Sequence, residues 1–352
     1  MRKKILHIGN SDKFIPPFIE FVKEHFDFNE HQFYLTGGMA EKELKPHPNV
    51  KLGKKGKLNR IKEYLQLIIP MHQSKKIILH GLFNWHIVVM LFFMPWLLKK
   101  CYWVMWGGDL YVYQLGERNW KWKLREFFRR PVIKNMAVFT TTVPGDYDLA
   151  KKWYGIKSKF IHNLMYPSHV SRDGVKTSCL EEKGDCIYIQ VGNSADPSNN
   201  HEEVLNYLSS FKEDNIKVFC PLSYGSESHR DKIIKKGRKL LDDKFYPMTD
   251  FMKFDEYNKY MSCIDVAIFN HNRQQAMGNI IGLLSLGKKV ILKNTVTPFQ
   301  FFVSIGVKVS TLQGSELLKT LSSTEISHNK EIMKKYFTNE RLASNWKDVF
   351  ND

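Results

Sequence analysis

Short apolar runs recur along the chain, each followed by a loop and then by a stretch with helical spacing. A run too short for a helix and apolar on both faces belongs in a covered parallel sheet, so this alternation limits the fold to few architectures. Residues 265–292, DVAIFNHNRQQAMGNIIGLLSLGKKVIL, form the clearest unit. Residues 265–270 read as a strand, 271–275 as a polar loop, 276–286 as a helix closed by Gly287, and 288–293 as a second strand. In open α/β sheets, the loop leaving the carboxyl end of a strand is where ligands sit. This loop carries Arg273, Gln274 and Gln275, with Gly278 just inside the helix N-terminus. A guanidinium, backbone N–H groups and the helix dipole together suit a diphosphate. The competing reading is a plain βαβ unit whose loop binds nothing.

The alternation comes in two sets. Strands at 4–9, 32–35, 76–79, 101–105, 138–142 and 159–162 alternate with helices at 17–24, 58–69 and 119–130, with a basic loop at 51–57. Residues 166–184 mix Pro, Ser, Gly and charges without period and read as a linker. Strands at 185–191, 216–220, 265–270 and 288–293 then alternate with helices at 201–211, 229–241, 255–262 and 276–286, and a helical tail begins near Asn329. At 352 residues the chain exceeds the size of a typical single core. The expected class is α/β: two doubly wound parallel-sheet domains facing across a cleft, with a C-terminal helical tail. The expected boundaries are 1–165, a linker at 166–184, and 185–352, the last helix being free to return to the N-terminal domain.

Charge is unevenly spread. Residues 1–170 hold 28 Lys and Arg against 13 Asp and Glu, a net +15 of the total +17. A basic first half implies an anionic partner, nucleic acid or anionic lipid. Residues 87–98, IVVMLFFMPWLL, are the most apolar run but fall well short of the roughly 20 residues of a membrane span. They read as a core helix or as one that dips into a membrane interface, with Trp96, Lys99 and Lys100 as anchors. The five cysteines are scattered and odd in number, which points to reduced thiols and to neither a disulfide framework nor a zinc site. Residues 1–4 run into a six-residue strand and not into a secretory h-region, so the expected compartment is the cytoplasm.

Three loops of the second half leave carboxyl ends of strands: Gly192-Asn193-Ser194, 222–225 with Tyr224, and 271–278. Together they suggest a nucleotide-like ligand. No G-x-G-x-x-G follows a strand and no G-x-x-x-x-G-K-[ST] occurs, which argues against a dehydrogenase or a P-loop ATPase. In the first half Asp12, His80 and Asp109 follow strands, and each could deprotonate an attacking hydroxyl. Asp109 is favoured because Gly107-Gly108 would let the backbone turn sharply, although an Asp after two glycines is also a common turn cap. No D-x-D pair asks for a divalent metal, so leaving-group charge falls to Arg273 and helix dipoles.

The strings Leu79-His80-Gly81-Leu82-Phe83-Asn84, Trp106-Gly107-Gly108-Asp109-Leu110-Tyr111, Val191-Gly192-Asn193-Ser194, and Arg273-Gln274-Gln275 with Gly278 resemble glycosyltransferase family 56. That family holds the TDP-4-acetamido-4,6-dideoxygalactose (Fuc4NAc):lipid II transferases of enterobacterial common antigen synthesis. The likeness spans nearly the whole chain in the same order. It implies a GT-B fold and a metal-independent hexosyltransferase that uses a TDP-sugar as co-substrate and no cofactor. The C-terminal domain would hold the donor through Gly192, Asn193, Ser194, Tyr224, Arg273, Gln274, Gln275 and Gly278. The N-terminal domain would hold a polyprenyl-diphosphate-linked glycan, with Asn84, Trp106 and Tyr111 on the acceptor side and Asp109, Asp12 or His80 catalytic. The implied location is the inner face of the plasma membrane, peripheral and on anionic lipid, with no nucleic-acid partner. The family's turn after the first strand bears a histidine, whereas here Ser11-Asp12-Lys13-Phe14 has none after Asp12. The alternatives are a GT-B transferase with another deoxysugar or a non-lipid acceptor, and, more remotely, a non-catalytic basic nucleic-acid-binding protein.

Overall fold

The computed structural model describes residues 4–37, 44, 47–53, 57–171, 183–312 and 316–352, the side chains of 57–60 and 254 excepted. The chain divides into two compact units, Met1–Ser168 with Asn339–Asp352, and His169–Thr338. Most of the expected linker, 172–182, lies outside the described residues, as do Lys54, Lys55 and Cys179.

The first unit is built on β1 (Ile5–Asn10), β2 (His31–Thr36), β3 (Val50–Leu52), β4 (Lys76–His80), β5 (Cys101–Val104), β6 (Val138–Thr141) and β7 (Lys159–His162). They pair in the order β3-β2-β1-β4-β5-β6-β7, all parallel. The helices are α1 (Ile15–His25), α2 (Lys57–Gln73), α3 (Trp85–Phe93), α4 (Gly108–Leu115), α5 (Trp120–Asn135) and α6 (Pro144–Tyr154). The fully apolar strands predicted a sheet covered on both faces, and β4, β5 and β6 are buried throughout.

The second unit pairs β8 (Ile187–Val191), β9 (Ile216–Pro221), β10 (Phe245–Met248), β11 (Val266–Phe269) and β12 (Lys289–Leu292) in the parallel order β10-β9-β8-β11-β12. Its helices are α7 (His201–Leu208), α8 (Glu227–Leu241), α9 (Phe254–Cys263), α10 (Met277–Ser285), α11 (Thr297–Ser304) and α12 (Ser323–Tyr336). The final helix, α13 (Asn339–Asn351), belongs to the first unit, where Trp346 is fully buried and donates to the Met165 carbonyl.

Several readings needed correction. Strand β3 overlaps the expected basic loop at 51–57, and no strand was expected at β10, which contains Pro247; an edge strand tolerates the proline because the missing N–H affects only one ladder. The apolar run 87–98 is not one helix: α3 ends at Phe93, and a 3₁₀ segment, Pro95–Lys100, follows. Pro95 cannot donate into the preceding turn, and it pushes Met94 out of helical geometry. Cys101, Cys186 and Cys220 are free, but Cys263 is disulfide-bonded, against the expectation of reduced thiols throughout.

Candidate functional site

In the second unit the loops after β8, β9 and β11 meet through side chains. Tyr224 Oη accepts from Asn193 Nδ2 at 2.8 Å, and Asn193 Oδ1 accepts from Gln275 Nε2 at 2.9 Å. Gln275 Oε1 in turn accepts from Ser198 Oγ at 2.7 Å. The backbone adds Ala195 N to Tyr224 O at 2.7 Å. Gly192 sits at φ 68°, and a Cβ there would lie 2.7 Å from Asn199 Oδ1, so the close approach needs glycine. Ser194 is buried and accepts twice from Asn199 Nδ2. Asn199, which no sequence signal marked, organises the loop: its Oδ1 accepts from Asn193 N at 3.0 Å and bonds His271 Nε2 at 2.8 Å. Burial holds His271 at about 3, so the ring is neutral and Nε2 carries the donated proton.

Arg273 stands at the same edge. Its Nη2 lies 3.4 Å from Asp196 Oδ2, and its Nη1 donates to the Gln274 carbonyl at 3.2 Å. Gln274 is buried, and its Oε1 has no hydrogen-bond partner among the described residues. Helix α10 begins after Ala276 in the left-handed region, φ 58°, with no side-chain cap, and Gly278 lies in its first turn. All eight donor-side candidates therefore fall on one sheet edge, joined by hydrogen bonds or by the start of α10.

In the first unit a small pocket opens at the carboxyl ends of β1 and β4, lined by Gly9, Asn10, His80, Gly81, Phe83 and Asn84 among others. His80 is buried, with Nδ1 2.7 Å from Tyr166 Oη and Nε2 3.0 Å from His7 Nδ1. Burial holds its ring at about 3. Trp106 is half-buried and donates from Nε1 to Tyr166 Oη at 2.7 Å. Asp12, half-buried in the turn after β1, accepts at Oδ1 from Lys13 N. Phe14 of that turn packs on Trp106 and Tyr166.

Three candidates have structural employment. Asp109 is 2 % exposed; its Oδ2 accepts from Leu82 N (3.0 Å) and Trp103 Nε1 (2.7 Å), and its Oδ1 from Trp106 N (3.0 Å). Both carboxylate oxygens tie the β4 and β5 loops together, and an acceptor hydroxyl could reach them only by breaking that turn. The preference for Asp109 as base therefore gives way. Tyr111 is buried and donates to Asp146 Oδ1 at 2.9 Å, which takes it off the acceptor side. Asn84 caps α3 and donates to Thr36 Oγ1, so it shapes the pocket wall.

A surface feature completes the picture. Ile61, Leu65 and Ile69 on α2 are about 60 % exposed and form an outward apolar line, while Leu67 and Met71 of the same helix are buried. Phe93 and Trp96 beside it, and Trp120 and Phe127 on α5, are exposed to between 58 and 68 %. Contacts join these helices: Trp96 Nε1 donates to His72 Nε2 at 3.0 Å, and Phe92 packs on both Phe93 and Phe127. Exposed Lys62, Lys99, Lys121, Lys123 and Arg125 are interspersed. Among the described residues no helix is long and apolar enough to cross a membrane, and no group of three His, Cys, Asp or Glu is arranged to hold a metal ion.

The family model described as 4-alpha-L-fucosyltransferase, glycosyl transferase group 56, matches residues 17–347. The chain belongs to glycosyltransferase family 56. Solved structures agree with this family 56 enzyme in fold. Anabaena HepE, solved with UDP and glucose, superposes with a TM-score of 0.70 at 10 % identity, over 99 % of this chain and 100 % of that one. Sucrose-phosphate synthase from Thermosynechococcus elongatus gives 0.67 at 13 %, over 99 % and 98 %. WaaG, a glycosyltransferase involved in lipopolysaccharide biosynthesis, gives 0.64 at 11 %, over 98 % of each chain. The fold is GT-B, and the family 56 protein is a glycosyltransferase of hexosyl type.

Proposed function

We propose that this glycosyltransferase moves a Fuc4NAc-like deoxyamino sugar from a TDP-sugar to a polyprenyl-diphosphate-linked glycan at the cytoplasmic face of the membrane. The observation that carries the lipid-linked acceptor is the outward apolar ridge of α2, α3 and α5 studded with cations. Exposed apolar patches of this extent mark interaction surfaces, and each cation near anionic lipid adds about 1 kcal/mol. Aromatic and aliphatic side chains would enter the headgroup region while the lysines meet phosphate.

On the donor side, the diphosphate lies against the uncapped start of α10, with Arg273 turned from Asp196 to the phosphates and Gln275 and Asn193 beside it. These groups meet the charge that grows on the leaving diphosphate. On the acceptor side, the hydroxyl enters the β1/β4 edge, and Asp12 takes its proton, because its carboxylate is half-buried in an open turn while that of Asp109 is enclosed. Calorimetry with TDP, UDP, GDP and ADP, followed by transfer assays on a polyprenyl-diphosphate glycan with and without anionic vesicles, tests the reading. Binding of no nucleoside diphosphate would overturn the donor side, and transfer indifferent to lipid would overturn the membrane side.

A further inference from the structure

The face of the seven-stranded sheet that packs on α1 and α13 has three imidazoles in its core: His31 on β2, His7 on β1 and His80 on β4. His31 stands opposite Ile5 and His80 opposite Gly9, so the row climbs by two residues at each strand with His7 in the middle. Gly9 makes the upper step possible, since a Cβ there would lie 2.9 Å from the His80 Cβ. The rings bond end to end: His31 Nδ1 to His7 Nε2 at 2.9 Å, His7 Nδ1 to His80 Nε2 at 3.0 Å, and His80 Nδ1 to Tyr166 Oη at 2.7 Å. None of the four side chains is more than 2 % exposed, and Phe18, Trp346 and Phe350 pack around them. An apolar filling would avoid the desolvation that such a row costs.

The row has a direction. Trp106 can only donate, so the Tyr166 oxygen accepts from it, and the phenolic proton completes the bond to His80 Nδ1. His80 then donates from Nε2 to His7, and His7 from Nε2 to His31. Every ring is neutral with one donor and one acceptor, which is the state that burial favours: His80 is held at about 3, His31 at about 4, and His7 well below its ordinary value.

We propose that this row is a proton relay for the acceptor side of the reaction, entered at Tyr166 beside the Asp12 turn and left at His31 beside Asp27. It rests on the reading that Asp12 takes the acceptor hydroxyl's proton. Phe14 of the Asp12 turn stacks on Tyr166 at 5.7 Å, and the exposed Asp27 caps the short turn, Phe28–Glu30, that leads into His31. The charged groups acting on the row are Asp12 and Asp109 at the Tyr166 end and Asp27 at the His31 end. In the transfer, the acceptor oxygen bonds the anomeric carbon, and the bond from that carbon to the phosphate oxygen breaks with its electron pair on the diphosphate. The hydroxyl proton goes to Asp12. Through a water bridging the Asp12 turn and the phenol it passes on to the Tyr166 oxygen as the phenolic proton moves to His80 Nδ1, the His80 Nε2 proton to His7 Nδ1, and the His7 Nε2 proton to His31 Nδ1. The Nε2 proton of His31 leaves to water beside Asp27. One proton enters and one leaves, and no charge rests in the core. When the product departs and water reaches the sheet edge, the shift runs backward and restores the starting tautomers. The relay serves an edge that a lipid-linked acceptor would cover during turnover.

Nitrogen-15 NMR of the histidine-labelled full chain at pH 7 is the first test. His7, His31 and His80 are expected to be neutral and all Nε2-protonated. A protonated ring, or opposed tautomers in adjacent rings, would overturn the relay. The second test is His7→Gln, which keeps a donor and an acceptor but cannot exchange one proton for another. It is expected to lower kcat about tenfold or more, leave KM and TDP affinity unchanged, and turn a curved proton inventory in mixed H₂O and D₂O into a straight line. A folded His7→Gln with wild-type kcat and an unchanged inventory would end the relay while leaving Asp12 in place. Full activity of Asp12→Asn would instead remove the reading beneath it.

Discussion

Trp103 Nε1 donates to Asp109 Oδ2 across 2.7 Å, and that bond, with the two backbone N–H groups on the same carboxylate, closes the turn between β5 and α4. Asp109→Asn would keep one oxygen and face at least one of these donors with an amide NH₂. Losing such a charge-assisted bond costs about 1.5–3 kcal/mol, which in a unit of this size lowers Tm by roughly 3–10 °C. Thermal unfolding should show that drop, with TDP affinity unchanged. An unshifted Tm with kcat reduced by two decades would return Asp109 to the catalytic role.

Asp12→Asn should behave oppositely. Among the described residues its carboxylate accepts from the Lys13 backbone N–H, and it sits half-buried in the turn after β1. The expected result is an unchanged Tm and TDP affinity with kcat down by about two decades or more.

Arg273→Ala should weaken TDP binding by about one to two decades, the worth of a charge-assisted bond to phosphate. Asp196→Asn provides the contrast. It frees Arg273 from its present partner while keeping an oxygen for the Ser198 amide, so TDP should bind at least as tightly as to wild type. Calorimetry reads both.

The ridge is tested by replacing Phe93 and Trp96 with serine. Both are more than half exposed, so folding stability should hold. Their insertion into a headgroup layer would contribute about 1–3 kcal/mol together, so flotation with anionic vesicles should fall by roughly one to two decades. Equal flotation of variant and wild type would place the lipid contact elsewhere.

Acid should unfold the first unit cooperatively. His80 and His31 titrate near 3 and 4 when folded, against about 6.5 unfolded, and His7 is likewise lowered. The unfolded chain therefore binds more protons below pH 6.5, so the stabilisation is fully present above that pH and is lost as pH falls towards 4. Each ring contributes up to about 1.4 kcal/mol per pH unit across that window. Urea unfolding at pH 7.5, 6 and 5 should show the steep loss, and His7→Gln should flatten it by about a third.

The donor edge was legible because a strand, a polar loop and a glycine-bearing helix start are local patterns, and β11, loop and α10 follow residues 265–292 closely. The sugar-transfer family was legible in the same strings. Asn199 and Asp196 were not, since each acts on loops that lie far away in sequence. Nor was the outward turn of Ile61 and Leu65: helical spacing puts them on one face with Leu58 and Ile68 and is silent on which way that face points.

By itself the sequence determined the element order, the parallel sheets and the polar loops at the strand ends, because period, length and turn chemistry act between near neighbours. Only the tertiary structure decided which polar residues are employed in holding the fold. Asp109 looked like a base and Tyr111 like a binding residue until the strands brought Trp103 and Asp146 against them. His7 looked like one more residue of an apolar strand until pairing set it between His31 and His80. A hydrogen bond between residues 24 or 73 positions apart leaves no local signature, because its geometry exists only once the sheet has brought both partners together.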